Sequence, residues 1–173
     1  MALPINHYGT VKLCIENVIR TFNTQSHTNM LIARISNPYG PGQDYTKGVG
    51  LVDAALKKAI SYEPIEIWGD GTVVRDYIYI DDVCEMLYSL TNYDGKEEVF
   101  NLSSNEGISQ NDIVAHLKLL GLNPVVNYKP ARSVDVKKIV LDNSKIMQVY
   151  EKKITSFQSG IEIYYSYLKS KEN

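Results

Sequence analysis

Tyr8 and Lys12 are the residues of this chain whose types and spacing best suit proton transfer. Side chains four apart on a helix are neighbours, so the two share a face if residues 8–22 are helical. Ile15, Ile19 and Phe22 follow at helical spacing. That pattern predicts an apolar face, with Lys12 aimed toward the inner side of its helix. A free phenol, with a pKa of about 10, is a poor base at neutral pH, and a nearby ammonium favours the ionised form. Such a pair suits carrying a proton to and from a sugar hydroxyl. Two ordinary readings stand beside this one: the spacing also arises by chance, and a lysine stem can carry its ammonium out to water.

A second group of polar residues suits anion and ribose recognition. Asn37 offers an amide beside a glycine-rich turn, Arg75 lies on an extended stretch, Arg132 lies in a later loop, and Asp135 follows it by three. Guanidinium groups match phosphate oxygens in a bidentate way, and a carboxylate accepts from ribose hydroxyls. Each residue also has a structural reading. Arg75 serves equally as a sheet-edge ion pair, Asp135 as a turn residue and Asn37 as a left-handed turn former.

The elements that must position these groups alternate. A helix over 8–22 is followed by a polar loop over 23–29, then by an apolar strand, Met30 to Ile35, of the buried parallel kind. The stretch Asn37 to Gly42 reads as a turn that stays neither extended nor helical. Val49, Val52, Ala55, Leu56, Ala59 and Ile60 mark an amphipathic helix over 48–62. Ile65–Trp68 and Val74–Ile80 flank Gly69-Asp70-Gly71-Thr72, the pattern of a hairpin. Asp82, with Glu85 three residues on, reads as a capping box opening a helix to Leu90. Further on come a strand at 98–102, a helix capped by Ser109 and ended by Gly121, and short strands at 124–128 and 138–141. A short helix capped by Asp142 and a final helix over 156–168 complete the chain. Strands alternating with helices give an α/β fold.

Composition removes several function classes. The 173 residues carry a net charge of −2, with 44% hydrophobic and 22% charged residues, the profile of one globular domain. No basic run supports nucleic-acid or membrane-surface binding, and no stretch reads as a signal peptide or a membrane span. The expected location is the cytoplasm. Cys14 and Cys84 lack metal-ligand or CxxC spacing and read as two small buried thiols. His7, His27 and His116 show no ligand spacing either, so no metal site is expected.

Four segments, taken in order, carry a resemblance. They are Pro4-Ile5-Asn6-His7-Tyr8-Gly9-Thr10-Val11-Lys12 and Arg34-Ile35-Ser36-Asn37-Pro38-Tyr39-Gly40-Pro41-Gly42. Then come Ile67-Trp68-Gly69-Asp70-Gly71 with Val74-Arg75-Asp76-Tyr77-Ile78-Tyr79-Ile80-Asp81-Asp82-Val83, and finally Arg132-Ser133-Val134-Asp135-Val136. Together they resemble the carboxyl-terminal part of the NAD-dependent epimerase/dehydratase family, the extended short-chain dehydrogenase/reductases typified by UDP-glucose 4-epimerase. The resemblance covers nearly the whole chain. It implies the carboxyl-terminal part of a Rossmann-type fold, with residues 1–62 as its last helices and strand. Residues 63–173 would be mainly the small nucleotide-sugar-binding region, with 81–102 returning to the Rossmann-like sheet.

The resemblance also implies roles. Tyr8 is the acid/base at a sugar hydroxyl. Lys12 binds the nicotinamide ribose of NAD and eases proton loss from Tyr8. Asn37, Arg75 and Arg132 hold the nucleotide diphosphate of a nucleotide sugar, with a UDP-sugar foremost, and Asp135 holds the nucleotide's ribose. In the epimerase reading, oxidation at C4 of the sugar gives a ketone, the sugar turns over, and hydride returns to its other face. Dehydratases and reductases of the family share most of these segments.

One departure bears on activity. The family places a βαβ region before the tyrosine, opened by a Gly-x-x-Gly-x-x-Gly turn that seats the dinucleotide pyrophosphate, together with an upstream serine or threonine. Residues 1–7 hold neither, and Gly48-Val49-Gly50 does not replace the turn. The expectation is therefore a truncated form, inactive alone and binding NAD weakly or not at all. Three hypotheses follow: an epimerase needing its amino-terminal half, a nucleotide-sugar-binding module, or a catalytically dead remnant. In the last, an exposed sheet edge would drive homo-oligomer formation.

Overall fold

The computed structural model describes residues 4, 6–43, 50–131 and 136–171. These described residues fall into two compact units, one drawn from 1–34 with 94–100 and the other from 35–93 with 101–173.

The first unit is built on α1 (His7–Ser26). Asn6 caps it, its side-chain oxygen accepting from Gly9 N–H at 2.8 Å. The helix runs past Phe22, where a loop is expected, because Asn23 turns inward and braces the chain beyond it. The Asn23 amide donates to Met30 O and accepts from Met30 N–H, both at 2.9 Å. His27 then ends the helix in the left-handed conformation, at φ 50°. The predicted apolar inner face is a correction. Of the predicted face, Ile15 and Phe22 are exposed and Ile19 is half-buried, while the buried residues of α1 are Glu16 and Asn23. A polar anchor set the helix's rotation: Glu16 grips Arg34 on β1 (Ile32–Ile35). β1 pairs with β5 (Val99–Leu102) in a two-stranded sheet.

In the second unit, β2 (Asn37–Tyr39) and β4 (Val74–Tyr79) pair in parallel, Asn37 opposite Tyr77 and Tyr39 opposite Tyr79. The expectation that Asn37 begins a turn is thus corrected. Three residues stay extended because β4 offers them a partner, and the turn starts at Gly40. The earlier part of β4 lies antiparallel to β6 (Gly107–Ser109) and parallel to β8 (Lys138–Ile139).

β3 (Ile65–Trp68) does not form a hairpin with β4. It pairs in parallel with β7 (Val126–Lys129). The reason lies in the intervening Gly69-Asp70-Gly71-Thr72. Both glycines have positive φ, 84° and 77°, and Asp70 accepts from Thr72 N–H and its hydroxyl. Asn111 then holds the carbonyls of Asp70 and Gly71. The loop is docked on a helix start and sends the chain to a different sheet.

The helices of this unit are α2 (Leu51–Ile60), α3 (Ile80–Leu90), α4 (Gln110–Leu119) and α5 (Phe157–Lys171). Asp82 is not a cap, another correction: α3 begins at Ile80, and Asp82 is buried in its first turn. There it accepts from Thr155 N–H at 3.0 Å and from the Tyr150 hydroxyl at 3.3 Å. The true capping box is Ser109 with Asp112 at the start of α4. Asp142 braces Ser144 N–H before a single 3₁₀ turn, Ile146–Gln148. Tyr39, Leu56, Ile67, Tyr77, Ile113 and Tyr164 are buried in one apolar cluster.

That cluster is tight at Gly160 of α5. A Cβ there would meet the phenol end of Tyr39, with Cζ at 2.9 Å, and Tyr39 is wedged against Phe157 and Tyr79. Gly160→Ala should therefore lower unfolding stability by about 1–3 kcal/mol, read as an earlier urea midpoint. An unchanged midpoint would mean that the ring has room to move.

Candidate active site

Tyr8 and Lys12 lie in the first two turns of α1 as the spacing predicts. The Lys12 ammonium sits 5.3 Å from the centre of the Tyr8 ring. Tyr8 is 73% exposed and Lys12 is exposed as well. Both hold their places through the helix: Asn6 caps the turn that carries Tyr8, and Glu16 fixes the helix one turn after Lys12. Glu16 accepts from Arg34 Nε at 2.7 Å and Nη2 at 2.6 Å, and from Arg20 Nη2 at 3.2 Å. The Arg34 guanidinium holds the Glu16 carboxyl below the usual carboxylate range, against the opposing effect of burial. The same pair raises Arg34.

Asn37 and Arg75 belong to the second unit, where both serve the backbone. Asn37 Nδ2 donates to Asp76 O at 2.7 Å. Arg75 Nη1 donates to Val74 O at 2.8 Å and to Val136 O at 2.7 Å. Arg132 and Asp135 lie outside the described residues.

Among the described residues, several hollows open in this unit, and two of them bear on ligand binding. One, of about 250 Å³, is lined by Ser36, Asn37, Gln43, Tyr77 and the α2 start at Gly50 and Leu51. An amide and a helix amino terminus facing one cavity suit an anion. The other, of about 540 Å³, lies at the carboxyl ends of β3 and β7 and is lined by Trp68, Asp70, Lys129, Ala131 and Lys137. Open α/β sheets bind ligands at such strand ends. Trp68, Lys129 and Lys137 were not singled out from the sequence. A tryptophan closing a strand just before a Gly-Asp-Gly turn was the signal available.

Cys14 and Cys84 are free and exposed, correcting the expectation of buried thiols. Among the described residues there is no metal-binding cluster of His, Cys, Asp and Glu, and no helix is long and apolar enough to cross a membrane.

The model of the NAD dependent epimerase/dehydratase family matches residues 2–103, more than half of the chain. The chain belongs to this family. Relatives of this chain include dTDP-4-dehydro-6-deoxyglucose reductase of Escherichia coli, 30% identical over 146 residues, or 84% of this chain and 46% of the relative. Among solved structures, UDP-glucose 4-epimerase with UDP-glucose from Thermotoga maritima superposes with a TM-score of 0.89 at 31% identity. That match covers 99% of this chain and 56% of the other. UDP-glucuronic acid 4-epimerase from Bacillus cereus, in complex with UDP-glucuronic acid and NAD, gives 0.86 at 26%, covering 98% and 55%. The α/β architecture with parallel sheets is thus that of the extended short-chain dehydrogenase/reductases. The chain spans about half the length of the curated relatives it matches.

NAD bound to family members poses a test of fit. The exposed Tyr8–Lys12 face suits the nicotinamide-ribose end of a dinucleotide. For the pyrophosphate, no Gly-x-x-Gly-x-x-Gly turn between a strand and a helix occurs among the described residues. The Gly50 start of α2 is no substitute, since a Cβ there would meet Gln43 Cδ at 2.6 Å.

Proposed function

We propose that this chain supplies the acid/base pair and the nucleotide-sugar site of an NAD-dependent nucleotide-sugar 4-epimerase resembling UDP-glucose 4-epimerase. The observation that carries the reading is the Lys12 ammonium placed 5.3 Å from the ring centre of a solvent-open Tyr8. A phenol so placed is open to a substrate hydroxyl with the ammonium beside it, and the two together suit proton transfer.

Each other residue takes the part its chemistry allows. Asn37 and the α2 amino terminus face the smaller cavity, which suits a sugar phosphate. Arg75 and Arg132 complement the diphosphate charge, and Asp135 accepts from the ribose. The hollow at the ends of β3 and β7, with Trp68 and two lysines at its wall, suits the nucleoside. NAD, when bound, supplies hydride acceptance and return at the sugar carbon. The 173 residues by themselves should bind NAD weakly or not at all, because Tyr8 and Lys12 hold only one end of it.

A second reading within the family is a reductase of 4-keto sugars, favoured by the likeness to the E. coli enzyme. It uses the same pair to deliver a proton.

Trp68 is the sole tryptophan of the chain and reports on its own hollow. Its fluorescence should change saturably with UDP-glucose, and Arg132→Ala and Asp135→Ala should each weaken that binding about tenfold or more. A folded chain that responds to neither UDP-glucose, UDP-glucuronic acid nor a dTDP-sugar would rule the reading out. Micromolar binding of NAD would overturn its cofactor half.

A further inference from the structure

We infer that Asn111 is a positioning residue of the nucleotide-sugar site, latching the Gly69-Asp70-Gly71-Thr72 loop to β7 so that the walls of the Trp68 hollow keep their spacing. It rests on the proposed function, which gives that hollow to the nucleoside.

Asn111 stands in the first turn of α4, two residues past the Ser109 cap. Amides at a helix start have no acceptor within the helix. Ser109 takes the Asp112 N–H at 3.0 Å, whereas the Asn111 N–H donates to Gly71 O at 3.1 Å. The Asn111 side chain works in two directions. Its Nδ2 donates to Asp70 O at 3.0 Å, and its Oδ1 accepts from the Tyr128 hydroxyl at 3.0 Å. Tyr128 lies on β7 opposite Ile67, beside Lys129, which pairs with Trp68. Gly69 N–H in turn donates to Lys129 O at 2.9 Å. These contacts close a ring. β7 holds the loop at Gly69, Asn111 holds it at Asp70 and Gly71, and Tyr128 ties Asn111 back to β7. Within the loop, Asp70 Oδ1 accepts from Thr72 N–H at 3.0 Å and from its hydroxyl at 2.6 Å. Trp68, Asp70, Thr72 and Lys129 all line the hollow, so the ring joins the loop side of its wall to the strand side.

The residue types fit this part. An amide head carries a donor and an acceptor in one plane. Leucine has neither, and an ionised aspartate has no hydrogen for Asp70 O. Gly71 is matched to the amide: its φ is 77°, and a Cβ there would lie 2.6 Å from Asn111 Cγ. Asp70, Thr72 and Tyr128 are exposed and Asn111 is half-buried. Hydrogen bonds open to water contribute little to unfolding stability. What the latch governs is therefore the shape of the hollow more than the survival of the fold.

Acrylamide quenching of Trp68, the sole tryptophan, and calorimetry with UDP and UDP-glucose test this on the whole chain. Asn111→Leu should raise the quenching about twofold by freeing the loop, with amide exchange at Leu56 and Ala59 in α2 still slow. It should weaken UDP and UDP-glucose by the same factor, about tenfold, because the loss falls at the nucleoside end. Tyr128→Phe removes only the hydroxyl that orients the amide and should weaken both about two- to fivefold. Because Tyr128 acts through Asn111, adding Tyr128→Phe to Asn111→Leu should cost less than about twofold further. Multiplying losses overturn the inference, as does wild-type affinity in either single variant. A loss for UDP-glucose well beyond that for UDP, or fast exchange spreading into α2, also overturns it. Should Asn111→Leu not fold, Asn111→Asp keeps the acceptor for Tyr128, loses the donor to Asp70 O, and carries the same expected outcomes. If the wild-type chain binds neither UDP nor UDP-glucose, the proposed function falls and quenching alone decides: a rise in Asn111→Leu sustains the latch, and no change ends it.

Discussion

Tyr8→Phe should abolish most nucleotide-sugar turnover while leaving the fold and the UDP-glucose affinity intact. The phenol is 73% exposed and its contact with the Lys12 ammonium is at the surface, so losing one oxygen should alter stability by no more than about 0.5 kcal/mol. Its place in the reaction is different. Removing a hydrogen from carbon as hydride leaves a hydroxyl that must shed its proton in the same step, and a phenylalanine cannot take it. General acid–base groups contribute about 10²–10⁴-fold, and a loss of that size is expected. Lys12→Met should lower turnover by a similar factor by removing the ammonium beside the phenol. Both losses should appear in kcat, since the groups assigned to the nucleotide lie in the other unit. The measurement is interconversion of UDP-glucose and UDP-galactose with NAD, made on the chain joined to the amino-terminal, NAD-binding half of a UDP-glucose 4-epimerase. Wild-type turnover in the joined Tyr8→Phe protein would remove Tyr8 from the chemistry. A joined wild-type protein inert toward both sugars, yet active on a 4-keto sugar with a reduced cofactor, would favour the reductase reading.

Features set by local chemistry were legible in the sequence. The Tyr8–Lys12 neighbourhood follows from helix geometry alone, and Ser109 caps α4 through bonds that span three residues. What escaped reading depends on partners far along the chain. Asn37 looked like a turn former because its strand partner, Tyr77, lies 40 residues on. Ile65–Trp68 and Val74–Tyr79 looked like a hairpin because proximity in sequence favours one, yet Asn111 captures the connecting loop and β7 lies ready to pair with β3. The inner face of α1 was misplaced for a related reason. Counting apolar residues finds the face of Ile15, Ile19 and Phe22, whereas a carboxylate that meets an arginine 18 residues later is the group α1 buries. Asn111 was passed over as a polar residue of a helix start, since its Asp70 contact spans 41 positions. An asparagine two residues past the Ser109 cap was the clue. It becomes informative only once the loop it meets is known.

Glu16→Ala should loosen α1 far more than any change along its apolar stripe. Glu16 is 9% exposed and receives both Nε and Nη2 of Arg34, the bidentate geometry in which ion pairs are strongest. Deleting one partner of a fully buried pair costs about 3–5 kcal/mol, because the other charge is left behind. The Arg34 side chain keeps 34% of its exposure, so water recovers part of that charge and roughly 2–3 kcal/mol is expected here. The loss should appear as rapid amide exchange along α1, with α2 and α4 of the other unit still protected. Acid should produce the same effect in the unaltered chain. Arg34 holds the Glu16 carboxyl below its ordinary value, so the pair's contribution is complete above the unfolded value of about 4.3 and fades as pH falls through the lower folded one. Protection of α1 should therefore drop between about pH 4.3 and more acidic conditions, and Glu16→Gln should remove that dependence while keeping one acceptor oxygen. Persistence of the same acid transition in Glu16→Gln would place its origin in another carboxyl group. Because Lys12 lies one turn from Glu16 and about 40° around the axis, any roll of the helix set off by acid or by Glu16→Ala carries Tyr8 and Lys12 with it.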